Sequence, residues 1–181
     1  MAYQSARERG GLIGLAMEAA EIHRRLSDKL GNAVTSELVP GEWATVELLP
    51  AMVAEAGRYL KEEPDLAFDC LSNLTAVDLK AEEKIDIFYN LFSYEHRHKI
   101  TLRVSCPRLD PVVPTVSAIW SIGDWLEREA FDLMGVNFVD HPDLRRLLMP
   151  EDWVGHPLRK DFVEPEEYHG ISTRRESLLK L

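Results

Sequence analysis

Two His-Pro pairs, His141-Pro142 and His156-Pro157, lie within the stretch 141–162 and have residue types that could do chemistry. An imidazole titrates near neutral pH and can act as a general base or a metal ligand. Proline restricts the residue before it to extended conformations, so each ring can be aimed at low entropic cost. A hydrolase would still need a nucleophile or a metal, and the stretch has no Cys or suitable Ser. A free-standing metal hydrolase using His141 and His156 is therefore kept only as an alternative of another class.

His96 and His98 form a His-x-His pair that could clamp a metal from one face of a strand. No third ligand is identifiable near them in the sequence. The surrounding residues are charged and lie between two predicted strands, which favours exposed turn residues over metal ligands.

Acidic side chains cluster at Asp124, Glu127, Glu129 and Asp132. Acid-base chemistry needs two carboxyl groups held in different environments. On a helix, however, residues two apart do not share a face, whereas Arg128 is four residues from both Asp124 and Asp132. The spacing predicts ion pairs of Arg128 with these two aspartates, in a structural or interface role.

The stretch 141–163 combines Trp153 with arginines, prolines and aliphatic residues. Trp and Arg often dominate the energetics of protein interfaces, and proline lowers the entropy lost on docking. We therefore predict a docking arm in which Arg145, Arg146, Arg159 and Asp161 form ion pairs with a partner protein. Trp153 is predicted to fill a pocket of that partner.

The composition, with 45% apolar and 29% charged residues, is that of a folded chain. A net charge of −10 disfavours nucleic acid as a partner. The apolar run Gly10–Met17 is too short to span a membrane and lacks the features of a signal peptide, so a cytosolic chain is expected. The glycines of this run also lack the spacing of a dinucleotide-binding loop. Cys70 and Cys106 are widely separated and are predicted to be buried free thiols.

Apolar spacing of three and four residues predicts three helices. The first covers residues 12–30 and the second starts at Pro50 and ends before Pro64. The third covers residues 115–135, with Gly135 as its stop.

Alternating apolar and polar residues predict three antiparallel strands between Cys70 and Pro107. The predicted fold class is α+β, a two-layer domain of helices on a mainly antiparallel sheet. Prolines at positions 142, 150, 157 and 165 exclude a long helix beyond it. The predicted organisation is a globular domain at 1–140 and an extended C-terminal docking arm at 141–181.

The segment "WLEREAFDLMGVNFVDHPDLRRLLMPEDWVGHPLRKDF" resembles the family of the C subunit, the 30-kDa type, of respiratory complex I. The likeness extends over about residues 40–163. The motif residues that carry it, and that we expect at an interface, are Glu127, Arg128, Glu129, Asp132, His141, Pro142, Asp143, Arg145, Arg146, Asp152, Trp153, Gly155, His156, Pro157, Arg159, Lys160 and Asp161.

This resemblance implies a cofactor-free, non-catalytic subunit in the hydrophilic arm of proton-translocating NADH:quinone oxidoreductase. It implies docking on the D subunit, which helps to form the quinone site, and contacts with neighbouring hydrophilic-arm subunits. FMN and iron-sulfur clusters would then lie in partner subunits, and the chain would be peripheral, on the cytoplasmic face of the bacterial cell membrane. The equivalent scaffold of a membrane-bound hydrogenase or formate hydrogenlyase is the alternative that the resemblance leaves open.

Overall fold

A computed structural model describes residues 17–173. Residues 1–16 and 174–181 lie outside the described residues. They include the predicted start of the first helix, the first part of the predicted globular domain and the last part of the predicted arm. The elements in chain order are α1 (Ala19–Leu30), β1 (Thr45–Leu48), α2 (Val53–Glu62), β2 (Cys70–Leu79), β3 (Lys84–Phe92), β4 (Lys99–Pro107), β5 (Val112–Pro114), α3 (Gly123–Met134), β6 (Asn137–Val139), β7 (Glu167–Tyr168) and β8 (Ile171–Ser172).

The main sheet has the strand order β1-β4-β3-β2. Strands β2, β3 and β4 are antiparallel neighbours, whereas β1 pairs parallel to β4. Because successive residues of a strand point to opposite faces, Ile85, Ile87 and Tyr89 all enter the core. The predicted α+β class and the three antiparallel strands are confirmed.

Helices α1 and α2 cover the inner face of this sheet through buried Ile22, Leu26, Ala56 and Leu60. Helix α2 ends before Pro64, as predicted. Within residues 17–173, no helix combines the length and the apolarity that crossing a bilayer requires.

The third helix begins at Gly123, so its predicted start at residue 115 is wrong. The preceding backbone is used in another way, because β5 pairs parallel to β6 with Val113 opposite Phe138. The amide of Thr115 then donates to the carbonyl of Val139. A chain engaged in strand pairing cannot also make helical hydrogen bonds.

Two expectations of exposure or burial are wrong. His98 is buried, not exposed: its Nε2 lies 2.5 Å from the carbonyl oxygen of Leu66 and its ring packs on Phe68. Cys106 is buried as predicted, but Cys70 is partly exposed at the start of the edge strand β2.

Candidate subunit interface

The predicted docking arm folds back onto the C-terminal end of α3. The last carbonyl groups of a helix lack partners within the helix and must be satisfied from elsewhere. Here the segment 156–159 supplies most of them. The donors are the Gly135 amide to Phe131 (2.9 Å), His156 Nδ1 to Asp132 (2.9 Å), the Leu158 amide to Leu133 (3.0 Å) and Arg159 Nε to Met134 (2.8 Å).

Gly135 makes this close approach possible. Its φ is +73°, in the left-handed region that favours glycine. A β-carbon at this position would lie 2.6 Å from the ring of His156 and 2.9 Å from Nη2 of Arg159. The arm can therefore reach the helix end only because residue 135 has no side chain.

Asp132 binds the start of the arm with a carboxylate that is completely buried. Its Oδ2 accepts the amides of Leu147, Leu148 and Met149 at 2.7–3.0 Å. Its Oδ1 accepts Nη1 of Arg146 at 2.6 Å. Burial by itself would raise the pKa of Asp132, but these donors, with the Met149 amide foremost, hold the pKa below its ordinary value.

Arg146 also closes the loop that follows it. Its Nη2 donates to the carbonyls of Trp153 (2.8 Å) and Gly155 (3.0 Å). We call Asp132, Arg146 and the main-chain groups they bind the arm clasp. Since the clasp holds main-chain atoms, it fixes the path of the arm and leaves most side chains pointing away.

Arg128 differs from its prediction. It does not pair with Asp124 or Asp132, because its guanidinium donates to the carbonyls of Arg145 (3.2 Å) and Arg146 (3.4 Å). The guanidinium carbon also lies 5.1 Å from the ring centroid of Trp125.

The far end of the arm is held by Arg108, a residue that the sequence analysis missed. This buried guanidinium donates to Asp78 at 2.7 and 2.9 Å and to Asp161 at 2.5 Å. Asp78 also accepts the amide of Lys160 at 2.8 Å. The hydrogen bond from Arg108 is the main cause that lowers the pKa of Asp78 to about 2. An inward-facing aspartate in the edge strand β2 was the available signal, since a buried charge requires a partner.

A second buried carboxylate, Glu127, lies near the root of the arm. It accepts the amide of Val116 at 2.6 Å and the hydroxyl of Thr115 at 2.5 Å, and His141 Nε2 lies 3.8 Å away. Among the residues described, no Lys or Arg pairs with it. Burial, partly offset by the two hydrogen bonds, raises the pKa of Glu127 to about 7.

His141 and His156 do not form a common site. The amide of Asp143 donates to Nδ1 of His141, so Nε2 carries the proton and faces the carbonyl of Asp124 at 3.2 Å. His156 binds the carbonyl of Asp132, which is eight helical residues, or about 12 Å, from the carbonyl of Asp124. One metal cannot bridge that distance, and no metal-binding group of His, Cys, Asp or Glu occurs in the described part of the chain.

Arg146 and Asp161 form ion pairs within the chain, and Arg159 binds a carbonyl of the neighbouring helix α3. Their predicted ion pairs with a partner stay a prediction. Arg145, in contrast, is exposed and paired only with exposed Asp143. Trp153 is partly buried against Tyr168, with 5.2 Å between ring centroids, and its indole N–H has no acceptor among the described residues.

Besides exposed charged residues such as Arg145, Asp152 and Lys160, the arm presents apolar side chains outward. Four aliphatic side chains are 59–84% exposed on the clasped segment, namely Leu148, Val154, Leu158 and Val163. Of the remaining motif residues, Glu129, Pro142, Asp152, Gly155 and Lys160 are exposed, and Pro157 is partly buried.

Comparison with known proteins gives this geometry a context. The family described as "Respiratory-chain NADH dehydrogenase, 30 Kd subunit" matches residues 46–168. The C subunit of NADH-quinone oxidoreductase from Chloroherpeton thalassium is 41% identical over 154 residues, which are 82% of this chain and 62% of that protein. The C subunit from Roseiflexus sp. (strain RS-1) is 37% identical over 142 residues, which are 78% of this chain and 82% of the relative.

Two solved structures share the fold. A trypsin-resistant fragment (1-134) of Nqo5 is 27% identical with a TM-score of 0.58, covering 68% of this chain and 98% of the fragment. A chain of the archaeal membrane-bound sulfane sulfur reductase is 23% identical with a TM-score of 0.62, covering 79% of this chain and 84% of that one. The class is thus an α+β domain of the Nqo5 type. The chain belongs to the family of the 30 Kd subunit of respiratory-chain NADH dehydrogenase.

Proposed function

We propose that this chain is a non-catalytic scaffold subunit of proton-translocating NADH:quinone oxidoreductase. It docks through residues 141–163 on the D subunit, which helps to form the quinone site and is called the quinone-site subunit below. Electrons pass from NADH to quinone through FMN and iron-sulfur clusters held by other subunits. The chain itself binds no cofactor and lies on the cytoplasmic face of the membrane through its partners.

The observation that carries this proposal is the exposed apolar surface of a clasped segment. Val154 and Leu158 are 84% and 59% exposed, although the backbone around them is fixed by the arm clasp and by Leu133. Exposed apolar side chains on an ordered backbone lose little conformational entropy on binding. Such a surface suits a permanent partner. Membership of the 30 Kd subunit family supports the proposal that this partner is another subunit of the same complex.

The test combines two charge substitutions, Val154→Asp and Leu158→Asp, with a control at Leu49. Leu49 is 47% exposed and precedes α2, on another part of the domain. Each variant is produced in cells that lack the natural chain, and the complex is isolated through a tag on the quinone-site subunit.

We expect the arm variants to lower co-purified chain by about tenfold or more, as for loss of a central interface anchor. The isolated variants should keep their melting temperatures because neither side chain is buried. Equal recovery of the arm variants and Leu49→Asp would contradict docking through this surface. Flavin and iron-sulfur subunits with NADH:quinone activity are expected in the wild-type complex, and hydrogenase subunits would overturn the proposed reaction.

A further inference from the structure

The outer face of α3 is a second apolar surface that residues 17–173 leave exposed. Ile122 and Trp125 are 49% and 54% exposed, and Glu129 is exposed beside them. These residues are spaced by three and four positions and so share one side of the helix. We call Ile122, Trp125 and Glu129 the α3 outer face.

Trp125 is held in place before any partner arrives. The guanidinium of Arg128 lies 5.1 Å from its ring centroid, and this guanidinium is itself bound to the carbonyls of Arg145 and Arg146. A fixed, half-exposed Trp is the kind of side chain that often anchors protein interfaces. Its ordering also depends on the root of the arm.

The charges around this face are negative. Asp124, Glu129 and Asp140 have no ion pair with Lys or Arg among the residues described. Arg128, a neighbouring cation, keeps its charge while it donates to two carbonyls, but it is only 7% exposed and is one charge against three carboxylates. The side chain of His141 lies 3.2 Å from Asp124 but is completely buried, so it is not part of the exposed surface. A partner of positive charge therefore complements this surface.

The surface also continues toward the arm. Glu129 and Leu158 line the same groove between α3 and β2, together with Leu133 and Thr75. A partner seated along the arm can thus place a neighbouring segment on α3 without a gap.

We propose that the α3 outer face binds a basic segment, carrying Arg or Lys, of a neighbouring subunit in the assembled complex. Trp125 and Ile122 supply the apolar contact, and Glu129 accepts the cation. This inference rests on the proposed function because the partner belongs to the same complex. It adds an interface outside the arm, at which the negative charge of the α3 outer face meets the positive charge of the partner.

The test places a photo-crosslinking benzoylphenylalanine at Trp125 in the full chain, within the assembled complex. The same residue at Leu49 is the control. We expect light-dependent linkage from position 125 to one neighbouring subunit, at a peptide that contains Arg or Lys. Linkage no stronger than from position 49, or linkage to a peptide without a basic residue, would overturn the proposal.

A second test, which changes only charge, applies even if benzoylphenylalanine at position 125 prevents assembly. Glu129→Gln is compared with Glu62→Gln, which changes an exposed glutamate at the end of α2. Loss of an interfacial charge pair weakens binding in a salt-dependent way, so Glu129→Gln should lower by about twofold the KCl concentration that releases half of the chain. Identical salt profiles of the two variants would refute the basic partner. Failure of the wild-type chain to assemble would instead refute the proposed function.

Discussion

Replacing Asp132 tests whether the arm is an integral part of the domain. In Asp132→Ala the amides of Leu147, Leu148 and Met149 and the guanidinium of Arg146 lose their buried acceptor. Breaking a buried ion pair by removing one partner typically costs about 3–5 kcal/mol. We expect the free energy of unfolding to fall by about 4 kcal/mol, the middle of that range. The loss stays below the upper limit because water can reach part of the loosened arm and hydrate the donors that have lost their acceptor.

The assay is urea denaturation of the isolated chain, with hydrogen exchange to locate the effect. Asp143→Asn is the control, since it removes a pair between side chains that are 54% and 65% exposed. Exposed pairs contribute about 0–1 kcal/mol. In Asp132→Ala, exchange should accelerate at residues 147–149 while the sheet amides remain protected. A loss below about 1 kcal/mol, equal to that of the control, would refute the view that the clasp holds the arm.

Three further predictions concern the same region. Gly135→Ala should destabilise the chain by about 1–3 kcal/mol more than Gly170→Ala in thermal unfolding, because both glycines have positive φ but only Gly135 contacts His156; equal losses would contradict the steric argument. Glu127 holds its proton more tightly in the folded chain (pKa about 7 against 4.5), so stability should fall as pH rises through this window. Glu127→Gln should gain up to about 3 kcal/mol at pH 8, and melting curves parallel to wild type from pH 5 to 8 would exclude this. Arg108→Met should lower stability, by about 3–5 kcal/mol, since Asp78 stays buried without its cation; an unchanged urea midpoint would contradict it.

The sequence predicted those parts of the fold that leave a periodic signal. Strand β3 places Ile85, Ile87 and Tyr89 in the core, and α2 ends at Glu62, before Pro64 as predicted. The start of α3 was missed because Val113 pairs with a strand that lies after the helix, and a pairing across that distance leaves no local pattern.

The docking role of residues 141–163 stays a prediction, and the contacts that hold this segment within the chain were not foreseen. Arg146 and Asp161 have the residue types of an interface, and their partners within the chain were not foreseen. Residue types suggest which charges need partners, but they do not say whether the partner is a side chain, a carbonyl or another protein. Arg128 shows this most clearly, because two carbonyls took the place of two predicted carboxylates.

The binding of the clasp to main-chain atoms separates the course of the arm from its outward chemistry. Asp132 accepts three amides and Arg146 donates to two carbonyls, and every residue type except proline offers both groups. The side chain of Leu148, which points outward, can therefore be exchanged without redirecting the backbone. The same scaffold could carry a different outward face and so recognise a different neighbour, with the path of the arm inherited unchanged.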